Sequence, residues 1–177
     1  MGADVSGSRK RALLLRNGLG NAVWVETGTY VGDTTDALSK YAKAVYSIEP
    51  EPTLFANAKD RFLDAPNVTI LNGISEEVLP DLLTKLSGDV CFWLDGHYSE
   101  GITYKGPQDT PIVDELAAIE KNIDKMGRVV VFVDDVCLFE NPLMLSYPPV
   151  EFLMEWAVNN DMEWRIEDDI FIARRGC

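Results

Sequence analysis

Four apolar runs of this chain end in carboxylates. Glu26 closes "NAVWVE", Glu49 closes "AVYSIE", Asp95 closes "DVCFWLD", and the pair Asp134 and Asp135 closes "RVVVFVDD". An ionised carboxylate only accepts hydrogen bonds. One can hold both hydroxyls of a ribose, and several together can hold a hard cation through oxygen. Taken singly, each reads equally as a turn or helix-cap acid. Their recurrence at the ends of successive strand-like runs is a pattern that capping alone does not require. The first acid also sits in "VETGTYVGDTT", Val25–Thr35, where hydroxyl residues crowd Gly28 and Gly32. Such a turn, between a hydrophobic run and a helix, suits a nucleotide-like ligand.

His97 is the only histidine and stands two residues beyond Asp95. Its ordinary pKa near neutrality fits a general base, and a lone histidine fits a structural role equally well. The loop "HYSEGITYKGPQDTP", 97–111, is rich in glycine and hydroxyls. It reads as a substrate-binding lid or as a passive surface loop. "CLFENPLMLSYPP", 137–149, has apolar residues for an opposite wall or for a partner interface.

Strand-like and helical patterns alternate around these groups. Strands are expected at 21–26, 44–49, 67–71, 89–95 and 128–135. Helical character follows in "ALSKYAKA", in "EPTLFANAKDRFLD" with Pro52 near its first turn, and in "SEEVLPDLLTKL", where Pro80 should sharpen or interrupt the helix. "TPIVDELAAIEKNI" reads as a helix capped by Thr110 with Pro111 first, and "PVEFLMEWAVNN" as another. "MEWRIEDDIFIARR" reads as a closing hairpin. This alternation predicts an α/β fold, a doubly wound and mostly parallel sheet ending in an antiparallel hairpin. Ligands of such sheets bind beyond the carboxyl ends of the strands, where these acids lie.

The chain has 177 residues, 46% hydrophobic and 25% charged, which fits a single domain over 1–177. A net charge of -13 disfavours nucleic acid as a partner, because the phosphate backbone would be repelled. No apolar run is long enough to span a bilayer, so no membrane role is expected. The opening "MGADVSGSRKRALLL" has no convincing signal-peptide core. Little material precedes the first strand from which to build a lid. Either the pocket is open or a second subunit, as in a homodimer, closes it. Cys91 and Cys137 lie in apolar runs and read as small buried hydrophobes, and a reduced cytoplasmic setting fits.

A dinucleotide would need a glycine in the middle of the first turn, where Tyr30 stands. Glu49 can still hold a ribose. A nucleoside without a pyrophosphate therefore fits better, and S-adenosylmethionine is the common one.

"VETGTYVGDTT", "VYSIEPEP", "NVTILNGISEEVLPDL" and "FWLDGHY" follow in order and spacing the motifs of class I S-adenosylmethionine-dependent methyltransferases. The chain resembles that class from Ala22 to Asp135. Within it, the chain looks like the metal-dependent O-methyltransferases, the group of catechol O-methyltransferase and the antibiotic-sugar O-methyltransferases. The resemblance implies a Rossmann-like seven-stranded fold. It implies that Glu26, Gly28, Tyr30 and Thr34 surround the methionine part of the cofactor, with Gly32 at the tight entry into the helix. It implies that Glu49 binds the ribose and that Gly73, Ile74 and Ser75 frame the adenine. Ser75 is also the natural N-cap of the following helix.

The same resemblance makes Asp95, Asp134 and Asp135 metal ligands, with Asp95 also at the cofactor and the chemistry. Three converging carboxylates would repel one another unless a cation sat among them. Oxygen ligands favour Mg²⁺, with Mn²⁺ and Ca²⁺ as alternatives. Against this, adjacent strand-end aspartates can simply cap loops, and Asp135 can point away from the site by strand alternation. Where catechol O-methyltransferase has a lysine after the first metal aspartate, this chain has Tyr98, which makes catechol a poor substrate choice. The expected activity is methyl transfer from S-adenosylmethionine to a hydroxyl of a small sugar- or polyphenol-like diol. The alternative is a cofactor-binding accessory domain without transferase activity.

Overall fold

The structure is a computed structural model that describes residues 5–96, 110–141, 144 and 146–177. His97 and nearly all of the 97–111 loop therefore lie outside the described residues.

Seven strands form one sheet: β1 (Val23–Thr27), β2 (Ala44–Glu49), β3 (Val68–Asn72), β4 (Gly88–Leu94), β5 (Met126–Val133), β6 (Glu163–Glu167) and β7 (Ile170–Arg175). Their spatial order is β3-β2-β1-β4-β5-β7-β6. All pairs from β3 to β5 are parallel, and β7 runs antiparallel to both β5 and β6. The expected doubly wound, Rossmann-like sheet with a C-terminal antiparallel hairpin is borne out. The hairpin is inserted so that β7, not β6, pairs with β5.

The helices are α1 (Val5–Asn17), α2 (Asp33–Ser39), α3 (Pro52–Arg61), α4 (Ser75–Leu83), α5 (Ile112–Glu120), α6 (Val136–Phe139) and α7 (Val150–Asn159). The central strands are apolar on both faces, and their side chains alternate between two cores. Val23, Val25, Val90, Phe92, Leu94, Val129, Val131 and Val133 face one core, with Leu79 and Leu83 of α4, Leu116 and Ile119 of α5 and Leu153 of α7. Trp24, Cys91, Trp93, Val130 and Phe132 face the other, with Leu13 and Leu14 of α1 and Leu38 of α2. Trp24 stacks on Phe132 with ring centroids 5.8 Å apart.

Local chemistry sets the helix ends. Pro52 opens α3, and the Glu51 side chain accepts from the Leu54 amide at 2.6 Å. Gly32 caps α2 at φ 87°, a left-handed conformation that glycine adopts without strain. Helix α4 runs through Pro80 instead of breaking there. An interior proline costs about 3 kcal/mol. Burial of Leu79, Leu82 and Leu83, at roughly 1.5–3 kcal/mol each, outweighs that cost. Two caps differ from expectation: Ile74 precedes α4 as its cap, leaving Ser75 as the first helical residue, and Pro111 caps α5. Cys91 is buried, but Cys137 lies on α6 and is exposed, because a short helix follows β5 and turns that thiol outward. Among the described residues no helix is long and apolar enough to cross a membrane.

Candidate active site

The strand order reverses between β1 and β4, and the site opens there. The Asp95 amide donates to the Thr27 carbonyl at 3.2 Å, and the Asp134 amide donates to the Leu94 carbonyl at 3.1 Å. These bonds set the ends of β1, β4 and β5 side by side. Strand alternation then decides direction. Asp95 follows Cys91 and Trp93, and Asp134 follows Val130 and Phe132, so both belong to the face covered by α1 and α2. Glu26 is in step with Trp24, and Glu49 with Val45, on that same face.

A cavity of about 340 Å³ lies under this edge. Its walls are the first turns of α1, the 28–34 turn, Trp93, Asp95, Asp134 and Asp135. Tyr30 and Thr34 both line it. The Tyr30 backbone is left-handed at φ 50°, and its amide donates to Glu49 Oε2 at 2.8 Å. Glu49 Oε1 accepts from the Glu51 amide at 3.0 Å, so two backbone bonds hold this carboxylate in place. Burial raises its pKa against those bonds.

Glu26 is only 1% exposed. Its Oε2 takes short hydrogen bonds from the hydroxyls of Thr35 and Ser47, so it supports the turn from below. Burial pushes its pKa up to about 7, with the charges of Asp95 and Glu49 adding to the rise and the two hydroxyls opposing it. The hydroxyl partner on α2 is thus Thr35, while its neighbour Thr34 faces the cavity. Gly73 has φ 140°, and its amide donates to the Glu49 carbonyl at 3.3 Å, which places the 73–75 turn beside the end of β2.

Two residues that sequence reasoning passed over lie beneath this turn. Glu115 of α5 is 1% exposed, and its Oε1 and Thr27 Oγ1 have no well-formed hydrogen bond. Both oxygens flank Gly96, at 3.2 Å from where a Cβ on that glycine would stand. Burial raises the Glu115 pKa to about 7, with Ser75 and Thr27 opposing the shift. In sequence Glu115 is one acid of a helix. Only its face on the folded helix marks it as buried.

The acids expected to converge on a metal have another partner. Lys10 Nζ donates to Asp134 Oδ2 at 2.7 Å and to Asp135 Oδ1 at 2.9 Å. Burial works against the lysine's charge, but its bonds to the two aspartates and their charges outweigh that, and its pKa is raised. Asp134 is itself pushed up to about 7 by burial and by the charges of Asp95 and Asp135, which exceed the opposing effect of Lys10. Its Oδ1 is buried without a partner. Asp135 caps α6 with φ 51°. Among the described residues, no three or more histidines, cysteines or acids are arranged to hold a metal ion. An orphan oxygen favours a cation, but the cation this arrangement fits is an ammonium, and the expected three-acid metal site is not assembled.

Lys10 also corrects the expectation for the N-terminal segment. Short as it is, that segment forms α1 and walls the cavity. Leu13 and Leu14 anchor it in the core, and Arg16 pairs with Glu167. No local signal could have linked Lys10 to acids more than 120 positions away.

No family model matches the chain, and no curated protein matches its sequence. Solved structures do. The N-methyltransferase NodS from Bradyrhizobium japonicum WM9, in complex with S-adenosyl-L-homocysteine, matches at a TM-score of 0.61 and 13% identity, covering 97% of this chain and 87% of that one. The precorrin-6y C5,15-methyltransferase from Geobacter metallireducens GS-15 matches at 0.61 and 14%, covering 94% and 86%. An rRNA methylase from Streptococcus thermophilus matches at 0.56 and 15%, covering 98% and 97%. At such identities the likeness is one of fold, and that fold is the Rossmann-like α/β fold of methyltransferases.

Proposed function

We propose that this chain is an S-adenosylmethionine-dependent methyltransferase acting on a hydroxyl of a small molecule. One observation carries the reading. The glycine turn after β1 sits at the switch point with Glu49 fixed beside it by two backbone amides, and Tyr30, not a glycine, stands in the middle of that turn and lines the cavity. Glu49 keeps lone pairs for a ribose diol. The adenine would lie against Gly73, Ile74 and Ser75, beside the end of β2, and the methionine part against Gly28, Tyr30 and Thr34, which line the cavity. Methyltransferases of the same fold, one of them in complex with S-adenosyl-L-homocysteine, support the choice of cofactor.

The bound cofactor would supply a methyl group on a positively charged sulfur. The chain's part is to hold and orient the two reactants. Acidic side chains at the cavity favour a cationic cofactor. Asp95 and Asp134 border the cavity and can receive the proton that the acceptor hydroxyl gives up; His97 is the other candidate for that task. The divalent ion that the resemblance implies would have to bind where Lys10 stands. The alternative, a cofactor-binding domain without transferase activity, predicts binding with no turnover.

Calorimetric titration of S-adenosylmethionine into the protein, with NADH as control, tests the reading. Binding of the first alone supports it, and release of S-adenosylhomocysteine over a panel of diols separates enzyme from accessory domain. Failure of the folded protein to bind S-adenosylmethionine sinks it.

A further inference from the structure

Lys10 joins the two ends of the described chain's chemistry. It rises from α1, and its ammonium lies between Asp134 and Asp135 at 2.7 and 2.9 Å. The Asp134 side chain is 2% exposed, and its second oxygen is buried without a partner. A buried carboxylate beside a second one costs several kcal/mol unless a cation meets it. Lys10 meets it. Its side chain is 27% exposed, and the residue lines the cavity that Asp95 also lines. An ammonium has three N–H donors, and two of them are used here. The third has no partner among the described residues.

We propose that Lys10 is the built-in cation of the acceptor end of this site, holding the Asp134–Asp135 pair in place of a divalent ion and presenting its remaining N–H to the acceptor oxygen. This rests on reading the cavity as a methyl-transfer site. The consequence is specific. A divalent ion and Lys10 compete for one position, so removing the ammonium creates a metal site that is not assembled among the described residues of the native chain. Lys10 differs here from a surface lysine pair, which gains little and gives up nothing to a metal.

The test uses the full chain and Mn²⁺ as probe, followed by electron paramagnetic resonance. Native protein is expected to bind Mn²⁺ weakly. Lys10→Met is expected to bind it at least about tenfold more tightly. Adding Asp134→Asn to that variant is expected to abolish the gain. Lys10→Gln, which keeps a polar end of similar reach, replaces Lys10→Met should the latter melt prematurely. The proposal is overturned if native protein binds Mn²⁺ as tightly as the lysine variants, or if neither binds it. S-adenosylmethionine titrated into the same samples reports on the methyltransferase reading separately. Its failure to bind native protein would sink that reading while leaving the Mn²⁺ comparison intact.

Discussion

A Cβ placed on Gly28 would stand 2.5 Å from the carbonyl oxygen of Asp95. The glycine's φ is +85°, so a side chain there would be strained even in open space. The first turn and the end of β4 touch at this point, and the contact is backbone on both sides. Gly28 is therefore required by the protein's own close approach, before any ligand is considered.

Gly28→Ala should destabilise the fold by at least about 2 kcal/mol, adding left-handed strain to a contact that cannot relax. For a chain of this size that lowers Tm by about 4–8 °C. Calorimetry checks it, and an unchanged Tm would mean the two strand ends are not in contact.

Stability should fall as pH rises from about 4.5 to about 7. Glu26 and Glu115 are both raised to about 7 from an ordinary value of 4.5, chiefly by burial. Between those values the folded state holds protons that the unfolded chain has released. The stabilising contribution is complete below the unfolded value and is lost as pH passes through the folded one. Each group should account for ~1–3 kcal/mol. Urea titrations at pH 5 and pH 7.5 measure the difference, and Glu26→Gln or Glu115→Gln should each remove that group's own share of it, leaving the share of the others, Asp134 included. A curve that rises with pH over this range would contradict the burial of both acids.

Glu49→Ala should weaken S-adenosylmethionine binding by roughly 10–100-fold, since charged hydrogen bonds are worth about 1.5–3 kcal/mol each. It also removes the acceptor of the Tyr30 amide, so the turn loosens. Titration calorimetry gives the affinity. An unaltered value would move the ribose away from β2.

Leu14→Ala should cost about 2–5 kcal/mol, as for a fully buried leucine. Hydrogen exchange should show the amides of α1 opening together. A cost below 1 kcal/mol, on the scale of a surface change, would show α1 to be a loose appendage and not a wall of the site.

Continuous apolar runs, the signature of strands buried on both faces, marked the inner strands and placed β2 at its observed bounds, and the polar turn between two short apolar stretches foretold the hairpin. The strand-end acids were legible for the same reason: each is the first polar residue after such a run. The same local reasoning could not say which acids face the cavity and which face inward. Glu26 turned out to be tied down by Thr35 and Ser47, and Glu115 lay hidden beneath Gly96. Those outcomes depend on register between strands and on which helix face meets the sheet. Lys10 depended on more still, since an ammonium near the start of the chain and two aspartates more than 120 positions later meet only once α1 has docked on its leucines. Sequence alone determined the layers and the edge at which the strand-end carboxylates gather, because periodicity is local. Tertiary structure alone decided the charge partners within that edge, because side chains distant along the chain become neighbours only through packing.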